Sequence, residues 1–114
     1  MLVYFLETLE DESDKDYIIW LYNEFERLMY STAFKYTTIP QIAEDIVQDS
    51  VVNLIRKVAT IRAMKRQVLA AYIISTVRNT SINRLKAIEY EREHVVEDSD
   101  IELESISTED SLER

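Results

Sequence analysis

Two asparagines, Asn79 and Asn83, lie four residues apart in a stretch of the chain whose apolar spacing is helical. Asparagine is a mediocre helix former, so two of them on one stripe need a reason. An asparagine amide can pair bidentately with the edge of a nucleobase, and the neighbouring Arg78, Arg84 and Lys86 could reach phosphates. The alternative is that these polar residues only face water.

A second polar face is predicted on the preceding helix, where Asp45, Gln48 and Asp49 share one side with Val52. Two acids and an amide opposite the apolar stripe could receive a basic helix from a partner protein. The simpler interpretation is that acids near the start of this helix interact favourably with its dipole. The pattern alone leaves both interpretations open.

The charge of the chain is divided into three segments. Residues 1–26 carry a net charge of −7, residues 27–88 a net charge of +7 and residues 89–114 a net charge of −9. Between Ser50 and Ile88 there are eight basic residues and no acidic one. Such a basic middle is typical of a surface that binds a polyanion, and a solvated helix face is the alternative.

The composition excludes most classes of enzyme. The 114 residues are enough for one small domain, and 46% of them are apolar. With no glycine there is no Gly-rich phosphate loop, and with no cysteine there is no disulfide, thiolate metal site or cysteine nucleophile. The single histidine, His94, excludes a His-based metal cluster, and no catalytic pair stands out among the 22 carboxylates. We therefore expect no catalytic residues, no cofactor and no metal.

The sequence contains no run of eighteen apolar residues, so no membrane span is predicted. The opening MLVYFLETLED lacks the basic start and the small-residue cleavage site of a signal peptide. Without an export signal or cysteines, a cytoplasmic protein is the expectation.

The elements that must position these residues are helices, since no β alternation competes with the three-four spacing of apolar residues. The first is predicted from a capping box at Ser13 to about Tyr36. The second is predicted from a capping box of Thr38 and Gln41, with Pro40 in its first turn, to about Val58. The remaining predictions are a loop at Ala59–Gln67, a third long helix from about Val68 to about Arg92, and a short extra helix at Leu2–Leu9.

Helical periodicity predicts which face of the third long helix is buried and which is polar. The predicted core face consists of Ala70, Ile74, Val77, Ser81, Leu85 and Ile88. The predicted far side consists of Tyr72, Thr76, Asn79, Asn83 and Lys86.

The pattern changes at Glu93, after which the chain is rich in acids and serine and has too few apolar residues to offset its ordering entropy. We expect residues 1–92 to form an all-α, compact three- to four-helix bundle. Residues 93–114 are predicted to be a disordered or weakly ordered acidic tail, or the start of an interdomain linker.

The run from Ala43 to Lys86 resembles the second conserved region of bacterial RNA polymerase sigma factors. Its two halves, AEDIVQDSVVNLIRK and AYIISTVRNTSINRLK, stand on either side of a short basic gap. The resemblance is closest to the small extracytoplasmic-function group and covers about residues 1–90. Upstream, FERLMYSTAFKY is similar to the preceding helix of that family.

The resemblance implies a sigma-factor bundle that binds core RNA polymerase and recognises and helps melt the promoter −10 element. Asp45, Gln48 and Asp49 match the face that docks on the clamp helices of the largest polymerase subunit. The residues implied to contact DNA are Asn79 and Asn83 at the non-template strand, Ser75 and Arg78 at the duplex edge, and Arg62, Lys65 and Arg66 in the loop that pockets a flipped base. From the helical pattern alone, Lys86 is expected to contact a phosphate as well. An anti-sigma factor is a further possible partner.

The sequence departs from the family pattern at several points. Tyr72 stands where tryptophan is usual, and Asn83 stands where aspartate is usual. The family also carries a helix-turn-helix domain that reads the −35 element, and nothing after Glu93 resembles it, so we expect a fragment that ends in the interdomain linker. The rival interpretation is a small helical protein–protein module, of the antitoxin or anti-sigma-binding type, whose basic patch binds no DNA.

Overall fold

The structure is a computed structural model and describes residues 6–95, with only the backbone described at Val95. Four helices lie within these residues, which contain no strand: α1 (Glu12–Ala33), α2 (Pro40–Arg56), α3 (Val58–Arg62) and α4 (Arg66–Val95). The predicted all-α bundle of three long helices is therefore confirmed. The predicted tail lies outside the described residues from 96 onward, as do residues 2–5 of the predicted Leu2–Leu9 helix, and in the described part of that helix only Leu6 is helical.

The start of α1 is fixed by Asp11, two residues before the predicted cap. The Asp11 carboxylate accepts hydrogen bonds from both the backbone N–H and the hydroxyl of Ser13, each at 2.8 Å. These bonds, the hydroxyl's first, hold the pKa of Asp11 below its ordinary value. The predicted capping box at Ser13 is wrong, because Ser13 donates to the cap residue instead of accepting from the helix.

The start of α2 depends on Pro40, whose missing N–H would have no partner in a first helical turn. Its N-cap residue is Ile39, which offers no side-chain cap, and the Ile39 N–H donates to the Thr37 hydroxyl at 3.1 Å. The predicted capping box of Thr38 and Gln41 is therefore wrong. The hydroxyl that orders this turn belongs to the preceding threonine.

The predicted loop at Ala59–Gln67 is for the most part helical. The helix α2 stops at Lys57, whose carbonyl accepts the N–H groups of Thr60 and Ile61 at 3.0 Å each, and α3 follows at once. Ile61 is fully buried in the core, which stabilises a helix too short to be stable alone. Only residues 63–65 connect α3 to α4.

One core joins the three long helices. Its fully buried aliphatic residues include Ile18 and Leu21 of α1, Ile46 and Leu54 of α2, and Ile73 of α4. Ser50 and Ser81 are also fully buried, as predicted. Their hydroxyls donate to the carbonyls of Ile46 and Val77 at 2.8 and 2.7 Å, so neither buried oxygen lacks a partner.

Of the six residues in the predicted core face of α4, only Val77 and Ser81 are buried, and Ala70, Leu85 and Ile88 are half-buried. Leu69, Ile73 and Val77 are buried, whereas Ile74, predicted as core, is 40% exposed. Apolar residues occupy adjacent positions along this helix, so the periodicity fits two overlapping faces equally well. In the fold α4 packs against both α1 and α2, and this selects the face centred on Ile73.

The choice of buried face on α4 can be tested with a matched pair of substitutions. Ile73→Ala should lower the free energy of unfolding by about 2–5 kcal/mol, because it removes a fully buried side chain. Ile74→Ala should cost less than about 1 kcal/mol, because much of that side chain is already in water. Urea unfolding followed by circular dichroism measures both. If Ile74→Ala lowered the free energy of unfolding more than Ile73→Ala, the predicted face with Ile74 buried would be correct.

Candidate nucleic-acid interface

A groove runs between α2 and α4 and contains the polar stripe predicted on α4, except for Lys86. We call it the α2–α4 groove. Its first part has a volume of about 350 Å³ and is lined by Asn53, Arg56, Lys57, Tyr72, Thr76, Asn79, Thr80 and Asn83. It is continuous with a wider part of about 610 Å³, which adds Asp49, Val52, Arg84 and Ala87. The stripe therefore borders α2 and does not lie on the far side of the bundle.

The threonine hydroxyls of the groove are engaged within the protein, whereas two of its amides are free. Thr76 donates to the Tyr72 carbonyl at 2.9 Å, and the Asn53 amide donates to the Thr80 hydroxyl at 3.5 Å, across the two helices. Asn79 and Asn83 are exposed, and neither side chain has a hydrogen-bond partner among residues 6–95. Their amides can therefore bind a ligand without breaking a bond of the fold.

Asp45, Gln48 and Asp49 form one face of α2, which we call the acid–amide face. It lies on the surface, as predicted, but one ion pair connects it to α4. Asp45 and Gln48 are half-buried and Asp49 is exposed. The Gln48 amide donates to the Glu44 carboxylate at 3.5 Å. Asp49 accepts a hydrogen bond from the Arg84 guanidinium at 2.5 Å, so one ion pair joins this face to the wider part of the groove.

Of the three basic residues predicted in one loop, only Lys65 lies in the turn between α3 and α4. Arg62 is the last residue of α3, where it pairs with Asp14 at 2.6 Å and donates to the Ser13 hydroxyl at 3.0 Å. Arg66 is the first residue of α4 and pairs with Glu24 at 2.5 Å. The structure therefore attaches both arginines to α1 and does not bring them to Asn79 and Asn83.

Aromatic rings of α1 add to the attachment of these arginines. The Arg62 guanidinium lies 5.4 Å from the centre of the Tyr17 ring, and the Arg66 guanidinium lies 5.1 Å from that of Phe25, within cation–π range. The Tyr17 hydroxyl donates to the Ile61 carbonyl at 3.2 Å. Burial raises the pKa of Tyr17, with Arg62 opposing, so the phenol keeps the proton that it donates.

The other predicted DNA contacts lie elsewhere on α4. Ser75 is half-buried, and Arg78 and Lys86 are exposed without an ion pair within residues 6–95. Asn53, Arg56 and Lys57, which form the α2 side of the groove, were not among the predicted DNA contacts. A signal was present, because the spacing that relates Asp45 to Asp49 continues to Asn53 and then reaches the basic end of the helix.

Residues 62–66, from the end of α3 to the start of α4, are called the α3–α4 segment. Its attachment to α1 can be tested with charge-matched variants. Asp14→Asn with Glu24→Gln should speed hydrogen exchange at the amides of residues 62–66, because both ion pairs are lost. The cost in unfolding free energy should be below about 1 kcal/mol per pair, since these pairs are partly exposed. Glu10→Gln with Asp16→Asn is the control, and equal exchange in both double variants would contradict the attachment.

Residues 6–95 lack two structural features, a membrane-spanning helix and a group of metal ligands. No helix there is both long and apolar enough to cross a membrane. The same residues contain no group of three or more acidic or histidine side chains placed to hold a metal ion.

Comparison with known families supplies an independent finding. A family model described as Sigma-70 region 2 matches residues 21–89. Comparisons with curated proteins and with solved structures found no match. The matched span runs from α1 to α4 and includes the α2–α4 groove, the acid–amide face and every residue predicted to contact polymerase or DNA. Since the match covers more than half of the chain, the protein belongs to the sigma-70 region 2 family.

Proposed function

We propose that this protein is a promoter-recognition domain of a sigma factor, which binds core RNA polymerase and helps open the promoter −10 element. The observation that carries the proposal is the pair of free amides, Asn79 and Asn83, beside unpaired cations within the span matched by the family. The function is one of binding and not of catalysis, and it is exercised in the cytoplasm. The extracytoplasmic-function group remains the proposed subgroup.

Polymerase docking is assigned to the acid–amide face of α2. Asp45 carries a charge that no ion pair within residues 6–95 neutralises, and Gln48 beside it has only a long hydrogen bond to Glu44. A basic helical surface, such as the polymerase clamp helices are expected to present, would complement this face. The interpretation as simple dipole placement is less favoured, because Asp49 and Gln48 lie beyond the first turn of α2.

Promoter recognition is assigned to the α4 stripe and the cations around it. Asn79 and Asn83 supply the amides that read base edges, while Arg78 and Lys86 supply charge for the phosphates. The bases of the −10 element become accessible only when the strands separate. Unstacking costs a few kcal/mol, and contacts with polymerase help to supply that free energy.

The domain boundary is part of the same proposal. Residues 1–92 constitute the polymerase- and DNA-binding domain, and residues 93–114 are an acidic tail or the start of an interdomain linker. The helix α4 continues through this boundary as far as Val95. An anti-sigma factor that covers one of the two surfaces would be a further partner.

The rival function is a protein–protein module without promoter recognition, and one observation favours it. Arg62, Arg66 and Arg84 are ion-paired within the chain, so the basic middle offers less free charge than the sequence indicates. Transcription reconstituted with core polymerase separates the two functions. Promoter-dependent transcripts support the sigma-factor function, and binding to polymerase without transcripts supports the rival.

The docking face is tested by Asp45→Ala with Gln48→Ala. This double variant should bind core polymerase more weakly by about 2 kcal/mol or more, roughly thirtyfold, because a charged interface contact is lost. Asp49 is left in place so that its pair with Arg84 is preserved. Asp16→Ala with Gln67→Ala removes the same two side-chain types from exposed positions on other helices and serves as the control in a competition assay. Equal affinity of the two double variants would refute the docking face.

Base recognition is tested by comparing Asn79→Ala and Asn83→Ala with Lys86→Ala. Each asparagine variant should lose about 1–3 kcal/mol of discrimination at an individual −10 position and should slow open-complex formation. Lys86→Ala should weaken binding to all promoter variants nearly equally, as expected for a phosphate contact. Open-complex assays on a set of −10 variants measure these effects. A uniform loss with Asn79→Ala would assign base recognition to other residues.

A further inference from the structure

The first part of the α2–α4 groove carries positive charge that no carboxylate of residues 6–95 neutralises. Arg56 ends α2 and Lys57 follows it, and both side chains are exposed. Neither forms an ion pair among the described residues, in contrast to the three arginines that pair with carboxylates elsewhere. No carboxylate of the described residues lines this part of the groove. The fold therefore leaves two cations in a concave surface without a partner among these residues.

The chain itself supplies a segment of complementary charge directly after α4. Residues 96–114, which we call the acidic segment, carry eight acids and one base. Four of these acids occupy alternate positions, at Asp98, Asp100, Glu102 and Glu104. In an extended chain, alternate side chains point to the same side and lie about 6.6 Å apart. The four carboxylates then form one negative row that can face the groove.

The groove lies within reach of the acidic segment. The helix α4 ends at Val95, and its groove-lining residues extend from Ala87 back to Tyr72. A rise of about 1.5 Å per residue places these two residues about 12 Å and about 35 Å from the helix end. A chain that turns back and runs extended, at about 3.3 Å per residue, covers 35 Å in about eleven residues. The alternating acids therefore reach the first part of the groove.

Attachment to α4 compensates for the weakness of individual charge pairs. Exposed ion pairs are weak one at a time. A segment joined to the same chain is present at the groove at an effective concentration in the millimolar range, so a few weak pairs are sufficient. Arg78 and Lys86 are exposed and unpaired within residues 6–95 as well, but they do not line the groove. The groove is favoured because its two adjacent cations act together on one row of carboxylates.

We propose that the acidic segment folds back on its own chain and occupies the α2–α4 groove, with its alternating carboxylates against Arg56 and Lys57. The segment covers the free amides of Asn79 and Asn83, which line the same part of the groove. Any other anion that binds there must first displace it. The proposal goes beyond the proposed function, because it concerns the chain without a bound partner and requires neither polymerase nor DNA.

The first experiment places a nitroxide spin label on Ser105→Cys of the full chain, which contains no other cysteine. At low salt the label should broaden the side-chain amide NMR signals of Asn79 and Asn83. The signal of Asn23, which lies on α1 and does not line the groove, should stay sharp. At 1 M salt, where the Debye length is about 3 Å, the broadening should disappear. Sharp groove signals at low salt, or equal broadening of Asn23, would overturn the proposal.

Charge variants of the labelled chain test the cations of the groove. Arg56→Ala with Lys57→Ala should abolish the broadening. Arg27→Ala with Lys35→Ala removes the same charge from exposed positions outside the groove and should retain it. Equal loss in both double variants would reduce the effect to one of net charge and would overturn the site.

A mixture of two forms of the chain distinguishes the chain's own segment from that of a second copy. One form carries the spin label and the other carries only the isotope label that makes its asparagine signals visible. The groove signals should stay sharp in this mixture. Broadening equal to that of the chain that carries both labels would assign the groove to a second copy and contradict the intrachain contact.

Inorganic triphosphate tests whether the segment competes for the groove. One variant converts the four alternating acids to amides: Asp98→Asn, Asp100→Asn, Glu102→Gln and Glu104→Gln. The control removes the same charge from exposed positions outside the groove: Glu7→Gln, Glu10→Gln, Glu91→Gln and Glu93→Gln. The first variant should bind triphosphate about tenfold more tightly than the control, as expected if the groove is open in about one tenth of the chains. Equal affinities, measured by the shift of the Asn79 amide signal, would refute the competition. None of these measurements contains polymerase or DNA, so their outcome is independent of the proposed function.

Discussion

The burial of Leu69, Ile73 and Val77 sets the rotation of α4, and both candidate surfaces depend on it. Each fully buried aliphatic side chain contributes about 1.5–3 kcal/mol, which is more than the roughly 0.5–1.5 kcal/mol that a typical neutral hydrogen bond contributes. A rotation that buried Ile74 in place of Ile73 would turn Asn79 and Asn83 away from α2. The site is therefore positioned by apolar contacts that touch no ligand.

Carboxylates within the chain determine which part of the basic middle remains available to a polyanion. Three arginines of that segment are paired, two with acids of α1 and one with Asp49 of α2. The acidic first segment thus has a structural role that its net charge does not indicate, because it fastens the α3–α4 segment to the bundle. The free cations that remain at the α2–α4 groove, Arg56 and Lys57, belong to the end of α2.

The long helices could be predicted from local sequence patterns. The short helix α3 and the rotation of α4 depend on contacts between residues that are far apart in the sequence, and these could not be predicted. Long amphipathic helices and Pro40 follow from spacing and backbone chemistry, and they were predicted to within a few residues. The helix α3 was missed because it is held by the burial of Ile61 and by Tyr17, which is 44 residues away along the chain. The polar stripe and the acid–amide face were recognised as surfaces. Their adjacency was not predicted, because it depends on the choice between Ile73 and Ile74, which periodicity leaves open.

The ion pair of Asp49 with Arg84 connects the face proposed to bind polymerase with the α2–α4 groove, which contains the asparagines proposed to bind DNA. A partner cation that bound Asp49 would compete with Arg84 for the carboxylate. Because both side chains are partly exposed, with 49% and 34% of their area accessible, the pair is worth about 1 kcal/mol or less. Displacement therefore opposes docking only weakly. The released Arg84 would then lie in the wider part of the groove as a third cation beside Arg56 and Lys57, so docking on one surface would increase the attraction of the other for a DNA strand.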